Sequence, residues 1–477
     1  MYATSNVLHI QADQHRFDCL GVNGGRVQTP NLDSLAADGV NFTNAYTPSP
    51  ICTPERASLM TGQWPSQHGI VNLSGLPGGG PLPPDATTFS DVLDGQGYQL
   101  RYVGRWHLGK HTPEAFGFDE WIPNGEYEAW RFRQGLPARP DPDAAWQDDE
   151  EAPERTPAGE NPWLGKVDEG IGPEESRLSW AADRVISQLE VLADQDEPFL
   201  LRWDTWEPHL PNVVPEPYAS MYDPGEIDPW PNFDDDLADK PWIQGQQRRT
   251  WHLEDATWED WAPTVARYLG EITLLDAQIS RVLDRLEALG LEEETLVVYT
   301  ADHGDMCGSH GMLDKHFVMY DEVTRVPLIA RWPDRIEPGW ECDDFVSNAI
   351  DLPPTYCDVA DAPVPDQFQG QSLVPLFGDA TGRDSIFATY YGCQLGLYTQ
   401  RMVRTEDWKY VWNATSPDEL YHLADDPHER TNLAHADAHA DRLAAMRRRL
   451  RDWLRETGDD VDNPWVMGQL DESEWAW

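Results

Sequence analysis

Lysine is almost absent from the sequence. Among 477 residues, lysine and arginine together number 35, whereas aspartate and glutamate number 84, which gives a formal net charge of −49. The five lysines are Lys110, Lys166, Lys240, Lys315 and Lys409. A surface this acidic repels nucleic acids and anionic membranes, so neither is an expected partner.

The excess of negative charge also strains the folded chain by self-repulsion, which salt relieves. At about 1 M ionic strength the screening length is about 3 Å, so neighbouring carboxylates scarcely interact. We interpret the composition as adaptation to the high-salt cytoplasm of a halophile. An acidic surface for a cationic partner is the alternative, but the acidic residues are spread along the whole chain.

Paired cysteines, long apolar runs and a secretory signal are also lacking. The six cysteines lie far apart, which argues against a disulfide framework and a cysteine-rich zinc site. No window approaches the roughly 18 consecutive apolar residues of a membrane span. Residues 1–6 do not show the basic head and apolar core of a signal peptide, so we expect no secretory signal. We therefore expect a reduced, cytoplasmic protein.

Hydrophobic residues make up 40% of the chain, enough for a large core. Short apolar segments alternate with helical patterns along it. Strands are predicted at 7–12, 198–203 and 295–300, and helices at 29–39, 181–193 and 264–289. This alternation predicts an α/β fold in which helices cover both faces of a sheet.

Two segments rich in proline, tryptophan and aspartate interrupt this pattern, at 112–175 and 211–263. We predict long loops there, of the kind that wall an active site. After residue 377 the pattern changes to short alternating runs and a helix at about 437–455. We therefore predict two domains, a larger one at 1–376 and a small α+β subdomain at 377–477.

The segment from Cys52 to Gly62 places a cysteine where a helix is predicted to begin. Pro54 suits the first turn and Gly62 suits the end. Unpaired N–H groups at a helix N-terminus favour an anion, and Arg56 adds a positive charge nearby. Taken alone, the segment also fits a cysteine that packs as a small apolar side chain.

Asp13 and Gln14 come directly after the first predicted strand, and Asp302 and His303 come after the strand at 295–300. Ligands of open α/β sheets gather beyond the carboxyl ends of strands, so a shared site is expected. Carboxylate and amide oxygens suit a hard cation such as Ca²⁺, whereas an imidazole shifts the preference toward Mn²⁺. Polar caps on the strand ends would explain either pair alone.

Taken in order along the chain, these motifs resemble a known family. Cys-Thr-Pro-Glu-Arg at 52–56, followed by Leu-Met-Thr-Gly at 59–62, resembles the signature of type I sulfatases in the alkaline-phosphatase superfamily. Further similar segments lie at 104–109, 207–211, 313–316, 320–329 and 418–423. The resemblance implies a large mixed sheet sandwiched by helices. It also implies that a formylglycine-generating maturation enzyme oxidises Cys52 to Cα-formylglycine (3-oxoalanine).

The resemblance further implies roles for individual residues. The hydrated formylglycine would attack the sulfate ester with one hydroxyl, and loss of the proton from its other hydroxyl would then expel sulfate. One divalent metal, Ca²⁺ or Mn²⁺, would bind at Asp13, Gln14, Cys52, Asp302 and His303. The sulfate would be held by Arg56, Arg105, His209 and Lys315. His107 would act as base, and His209 alternatively as the acid that protonates the leaving alcohol.

Several positions depart from the usual pattern of this family, and the departure is mild at Glu55, where the family often has Ser or Thr. Arg105 replaces a lysine, and Arg differs from Lys in length and planarity. Gln14 and His303 stand where the family usually has Asp or Asn. In this they look more like the choline-sulfatase and phosphonate-monoester-hydrolase branches.

We expect hydrolysis of a sulfate ester, that of a carbohydrate or another small organic sulfate. Two alternatives remain: a phosphonate monoester or phosphodiester hydrolase on the same scaffold, and a non-catalytic glycan-binding relative. The sequence does not indicate the oligomeric state.

Overall fold

The structure, a computed structural model, describes residues 5–140, 165–378, 380–392 and 394–471. Its strands are β1 (Asn6–Asp13), β2 (Val40–Phe42), β3 (Ala45–Tyr46), β4 (Gln99–Gly104), β5 (Glu120–Pro123), β6 (Gly165–Val167), β7 (Phe199–Pro208), β8 (Asn212–Val214), β9 (Thr295–Ala301), β10 (Leu328–Arg331), β11 (Trp340–Cys342), β12 (Val346–Ser347), β13 (Ser385–Gly392), β14 (Tyr398–Thr405), β15 (Trp408–Asn413) and β16 (Glu419–His422). Its α-helices are α1 (Pro30–Ala37), α2 (Cys52–Thr61), α3 (Pro65–His68), α4 (Phe89–Gly95), α5 (Glu126–Arg133), α6 (Arg177–Ala193), α7 (Trp242–Thr250), α8 (Trp258–Ala288), α9 (Asp321–Thr324), α10 (Asn348–Val359), α11 (Ala440–Thr457) and α12 (Pro464–Leu470).

An eight-stranded sheet in the order β11-β2-β10-β9-β1-β7-β4-β5 forms the centre of the fold. The neighbours β9, β1, β7 and β4 are parallel, and β10 runs antiparallel to β9 and β2. β1 is buried along its whole length, as a strand covered on both faces must be. The expected large mixed sheet is therefore confirmed.

Two groups of helices flank this sheet. α1 and α6 pack against α8, whereas α2 and α4 pack against α10. α8 begins at Trp258 and not at 264, with Pro263 inside its first turns. Asp260 accepts a hydrogen bond from the backbone N–H of Thr257 at 2.8 Å, which caps this earlier start. A proline so close to the start removes only one helical hydrogen bond.

The two predicted loop segments contain regular elements where they are described. β5 adds an edge strand to the main sheet beside β4, and β6 pairs with β8. α7 buries Ile243 together with Gln244 and Gln247, so its inner face lacks the apolar periodicity that predicts a helix. Residues 141–164 of the first segment lie outside the described residues.

The C-terminal part of the chain forms a separate antiparallel sheet, β13-β14-β15-β16, on which α11 packs. Its apolar contacts include Trp453 of α11, whose ring centre lies 5.0 Å from that of Trp64 next to α3. The division of the chain near residue 377 stays a prediction. None of the described helices is both long and apolar enough to cross a membrane.

Candidate active site

Four parallel strands bring distant parts of the chain together at one edge of the main sheet. β1 ends at Asp13, β9 is followed by Asp302, and β4 is followed by Arg105. The end of β7 leads into His209. Because adjacent parallel strands end at the same edge, these side chains surround one site.

Cys52 is the first residue of α2, and the whole helix is buried. Its Sγ lies 3.2 Å from Nε2 of His303 and 3.7 Å from Oδ1 of Asp13. Burial alone would raise the pKa of the thiol. The charges of Lys315, His303 and Arg105 outweigh burial and hold this pKa well below its ordinary value. Cys52 is therefore surrounded by groups that favour an anion.

Asp13, Cys52, Asp302 and His303 form a buried group of potential metal ligands. One ligand atom from each lies within 4.8 Å of the others. The Nδ1 of His303 lies 2.8 Å from the carbonyl of Gly304. If His303 donates from Nδ1, its Nε2 lone pair faces the group, as a metal-binding imidazole requires.

Gln14 contacts this group through its backbone. Its N–H donates to Oδ1 of Asp302 at 3.0 Å. Its side-chain Oε1 accepts from Nζ of Lys315 at 2.8 Å, and its Nε2 donates to Asp305 and Asp314. The amide therefore bonds to Lys315 and two acids, and its role as a metal ligand stays a prediction.

Arg56 is fully buried and links three carboxylates. Its Nη2 donates to Asp13 at 2.9 Å and to Asp302 at 3.1 Å. Its Nη1 donates to Asp204 at 2.6 Å. Burial would raise the pKa of Asp13, but Arg105 and other cations lower it to about 2. Asp13 is therefore ionised at neutral pH.

His209 and Lys315 contact each other at the same site. Nζ of Lys315 lies 2.9 Å from Nε2 of His209, whose Nδ1 lies 2.5 Å from the carbonyl of Leu210. Lys315 is 2% exposed. Burial opposes its charge, but Asp314 and Cys52 raise the pKa of Lys315 above its ordinary value. Lys315 therefore carries its positive charge inside the site.

His107 is half-buried beside Cys52. Burial lowers its pKa, and a hydrogen bond with Cys52 offsets this only in part. His107, Gln14 and Asp314 have φ of 58°, 70° and 64°, in the left-handed region that side chains with a Cβ rarely adopt. Such strained backbone clusters at active sites.

Sequence reasoning missed Asp204 in β7. It is fully buried, and its carboxylate accepts hydrogen bonds from Arg56, Arg202 and Tyr102. The available signal was a charged pair, Arg202 and Asp204, inside an otherwise apolar strand. A buried charge needs a partner, and here that partner comes from a distant helix.

These contacts define the class of protein. The cationic side chains around Cys52 suit a substrate that carries negative charge, and the carboxylates beside it suit a divalent cation. On the edge of an α/β sheet, this combination is typical of metal-assisted hydrolases of anionic esters.

Comparison with known proteins narrows this class. The family model described as Sulfatase matches residues 5–362, and the model described as N-sulphoglucosamine sulphohydrolase, C-terminal, matches residues 308–456. The chain belongs to the sulfatase family, in the alkaline-phosphatase superfamily, and is a sulfuric ester hydrolase.

Relatives match along nearly the whole chain. An uncharacterized sulfatase, YidJ, of Escherichia coli is 30% identical over 98% of this chain and 90% of its own. An N-acetylglucosamine-6-O-sulfatase of Bacteroides thetaiotaomicron is 27% identical over 90% of this chain and 82% of its own. A solved phosphonate monoester hydrolase from Silicibacter pomeroyi has a TM-score of 0.80 at 25% identity, covering 96% of this chain and 97% of that chain.

Proposed function

We propose that this sulfatase hydrolyses the sulfate ester of a carbohydrate or another small organic alcohol, by S–O cleavage at a formylglycine formed from Cys52. The convergence of Cys52, Arg56 and Lys315 beside buried carboxylates carries the proposal. The N-acetylglucosamine-6-O-sulfatase relative and the N-sulphoglucosamine sulphohydrolase C-terminal match support a sugar alcohol.

The donor set fits one divalent cation. Burial and the charge of Asp13 raise the pKa of Asp302 to about 6, so a bound cation would relieve the repulsion of the two carboxylates. Asp13, Gln14, Asp302 and His303 would hold Ca²⁺ or Mn²⁺ next to residue 52. When bound, the cation would neutralise charge on the sulfate and favour ionisation of a neighbouring hydroxyl.

The side chains around residue 52 would divide the remaining work. The hydrated formylglycine would supply the nucleophilic hydroxyl. Arg56, Arg105 and Lys315 would hold the sulfate oxygens. His107 is neutral at pH 7 because burial lowers its pKa, so it can accept the proton of a hydroxyl. His209 and Lys315, which are hydrogen-bonded to each other, would together supply the proton that the leaving alcohol takes up, with Lys315 donating it through Nε2 of His209.

A formylglycine-generating maturation enzyme would be a necessary partner. Cys52 is 0% exposed in the folded chain. The maturation enzyme must therefore reach the thiol before folding is complete. The five described cysteines are unpaired and buried, which supports the proposed reduced, cytoplasmic location.

Isotope labelling tests the bond that breaks. We expect hydrolysis of an aryl or sugar sulfate in ¹⁸O-labelled water to place the label in the sulfate and none in the alcohol. Label in the alcohol, or no hydrolysis by metal-loaded protein that carries the formylglycine, would contradict the proposal.

A phosphonate monoester or phosphodiester hydrolase is the second candidate. The structural match to a phosphonate monoester hydrolase and the residues Gln14 and His303 favour it. The discriminating measurement is kcat/KM for matched aryl sulfate, aryl phosphonate and phosphodiester substrates. A higher value for the phosphorus esters would replace the main proposal.

We also propose that the enzyme is adapted to high salt. The net charge of −49 and the scarcity of lysine support this. Lys240, Lys315 and Lys409 are buried, so exposed lysines are rarer still. We expect the thermal unfolding midpoint to rise between about 0.1 M and about 2 M KCl as carboxylate repulsion is screened. A midpoint that is independent of salt would contradict the proposal.

A further inference from the structure

Trp206 lies near the end of β7, three residues before His209, and contacts two guanidinium groups. The Cζ atom of Arg105 lies 4.0 Å from the centre of its ring, and that of Arg177 lies 5.2 Å away. The ring centre of His209 is 5.6 Å away. We propose that Trp206 is a positioning residue that holds the Arg105 guanidinium in the plane it needs to bind the sulfuryl group.

The backbone brings Arg105 onto this ring. Gly104 of β4 pairs with Asp204 of β7, and the N–H of Arg105 donates to the carbonyl of Asp204 at 3.0 Å. Gly104 has φ of 118°, and a Cβ there would lie 1.9 Å from the carbonyl oxygen of Asp204. Only glycine allows the two strand ends to approach so closely.

The planar guanidinium of Arg105 is well suited to packing against an aromatic ring. A guanidinium stacks on an indole face and keeps its N–H groups free at its edge, whereas an ammonium is a point charge. The edge of Arg105 donates to Asp13. The stack would therefore fix the plane in which Arg105 presents its donors to an anion above Asp13.

The Trp206 ring is also in contact with a second cation, Arg177, which is fixed by an ion pair. Nε of Arg177 donates to Oε1 of Glu207, the next residue of β7, at 2.7 Å. Among the described residues, the buried Nε1 of Trp206 has no hydrogen-bond partner. A phenylalanine at 206 would therefore keep an aromatic face and lose no hydrogen bond.

The inference rests on the proposed function, because it assigns Arg105 to the sulfate. Its test is calorimetric binding of inorganic sulfate to metal-loaded protein, together with kcat and KM for an aryl sulfate. We expect W206L to weaken sulfate binding and raise KM by about tenfold, the size of a desolvated cation–π contact, with a smaller change in kcat. W206F should stay within about threefold of wild type.

The double variant separates positioning from general damage. R105Q removes the cation, so adding W206L to R105Q should weaken sulfate binding by less than about twofold further. Trp408 is the matched control, because it is also half-buried beside an arginine, Arg442 at 5.2 Å, and a histidine, His422. W408L should leave sulfate binding unchanged.

Three results would overturn the inference. These are wild-type affinity for sulfate in W206L, equal losses from W206L with and without Arg105, and no sulfate binding by the wild type. If the wild type binds sulfate and shows the expected coupling but hydrolyses no sulfate ester, the proposed function fails and the positioning role of Trp206 stands.

Discussion

Lys315 at the edge of the main sheet and Lys409 in the C-terminal sheet are both buried, but their partners differ. Lys409 donates to the carboxylates of Asp321 and Glu429, the latter at 2.8 Å. Lys315 donates to the amide oxygen of Gln14 and to the imidazole of His209, and it forms one longer ion pair, with Asp314 at 3.4 Å.

Burial alone therefore does not distinguish a functional lysine from a structural one. A buried cation bonded mainly to carboxylates is compensated and serves the fold. A buried cation whose shortest hydrogen bonds go to amide and imidazole groups keeps charge for an anion that arrives later. Because Lys240, Lys315 and Lys409 are all buried, the scarcity of lysine in the sequence could not by itself single out Lys315.

We expect the largest effect from a substitution that removes the Lys409 cation from its two acidic partners. K409M leaves Asp321 and Glu429 without their cation, so we expect the free energy of unfolding to fall by about 4 kcal/mol. Urea unfolding measures this loss, with K110M on the exposed surface as the control. The kcat of the folded fraction should not change. A K409M protein as stable as the control would contradict this interpretation.

The fold around these lysines was only partly predictable. Asp13 and Asp302 could be placed together because each follows an apolar, buried strand, and parallel strands end at one edge. The pairing of Lys409 with Asp321 could not, since it joins the short helix α9 to strand β15 of the C-terminal sheet. Asp204 and Trp206 were missed for a similar reason: their partners are side chains on other elements, which local patterns do not reveal.

We expect the second-largest effect from a substitution at Lys315, which should act mainly on catalysis. K315M removes a charge from the sulfate site, and we expect kcat for an aryl sulfate to fall by about 100-fold or more. The free energy of unfolding should fall by less than in K409M, because Lys315 forms one ion pair, with Asp314 at 3.4 Å, whereas Lys409 forms two shorter ones. Loss of stability equal to that of K409M, with little loss of kcat, would make Lys315 a structural residue.

The smallest effect concerns Glu271, a buried acid that forms no ion pair with any residue that the structure describes. Glu271 is 2% exposed and accepts a hydrogen bond from Asn212 at 2.6 Å. Burial and the charge of Glu207 raise the pKa of Glu271 from 4.5 to about 8. As pH rises, the unfolded chain loses this proton before the folded chain does. The stability that protonated Glu271 contributes is therefore present below pH 4.5 and is lost by about pH 8.

Chemical unfolding from pH 5 to pH 9 tests whether stability falls with rising pH as expected. We expect the wild type to lose on the order of 2 kcal/mol more than E271Q across this range, because glutamine does not titrate. Parallel pH curves for the two proteins would mean that Glu271 is ionised in the folded state.

The most direct test of the central claim is mass spectrometry of the peptide that contains Cys52, from enzyme purified from its own host while it turns over a sulfate ester. The account predicts an aldehyde at residue 52 in the active fraction, trapped by a hydrazide. Enzyme that hydrolyses the ester at its full rate with an intact thiol at that position throughout would contradict it.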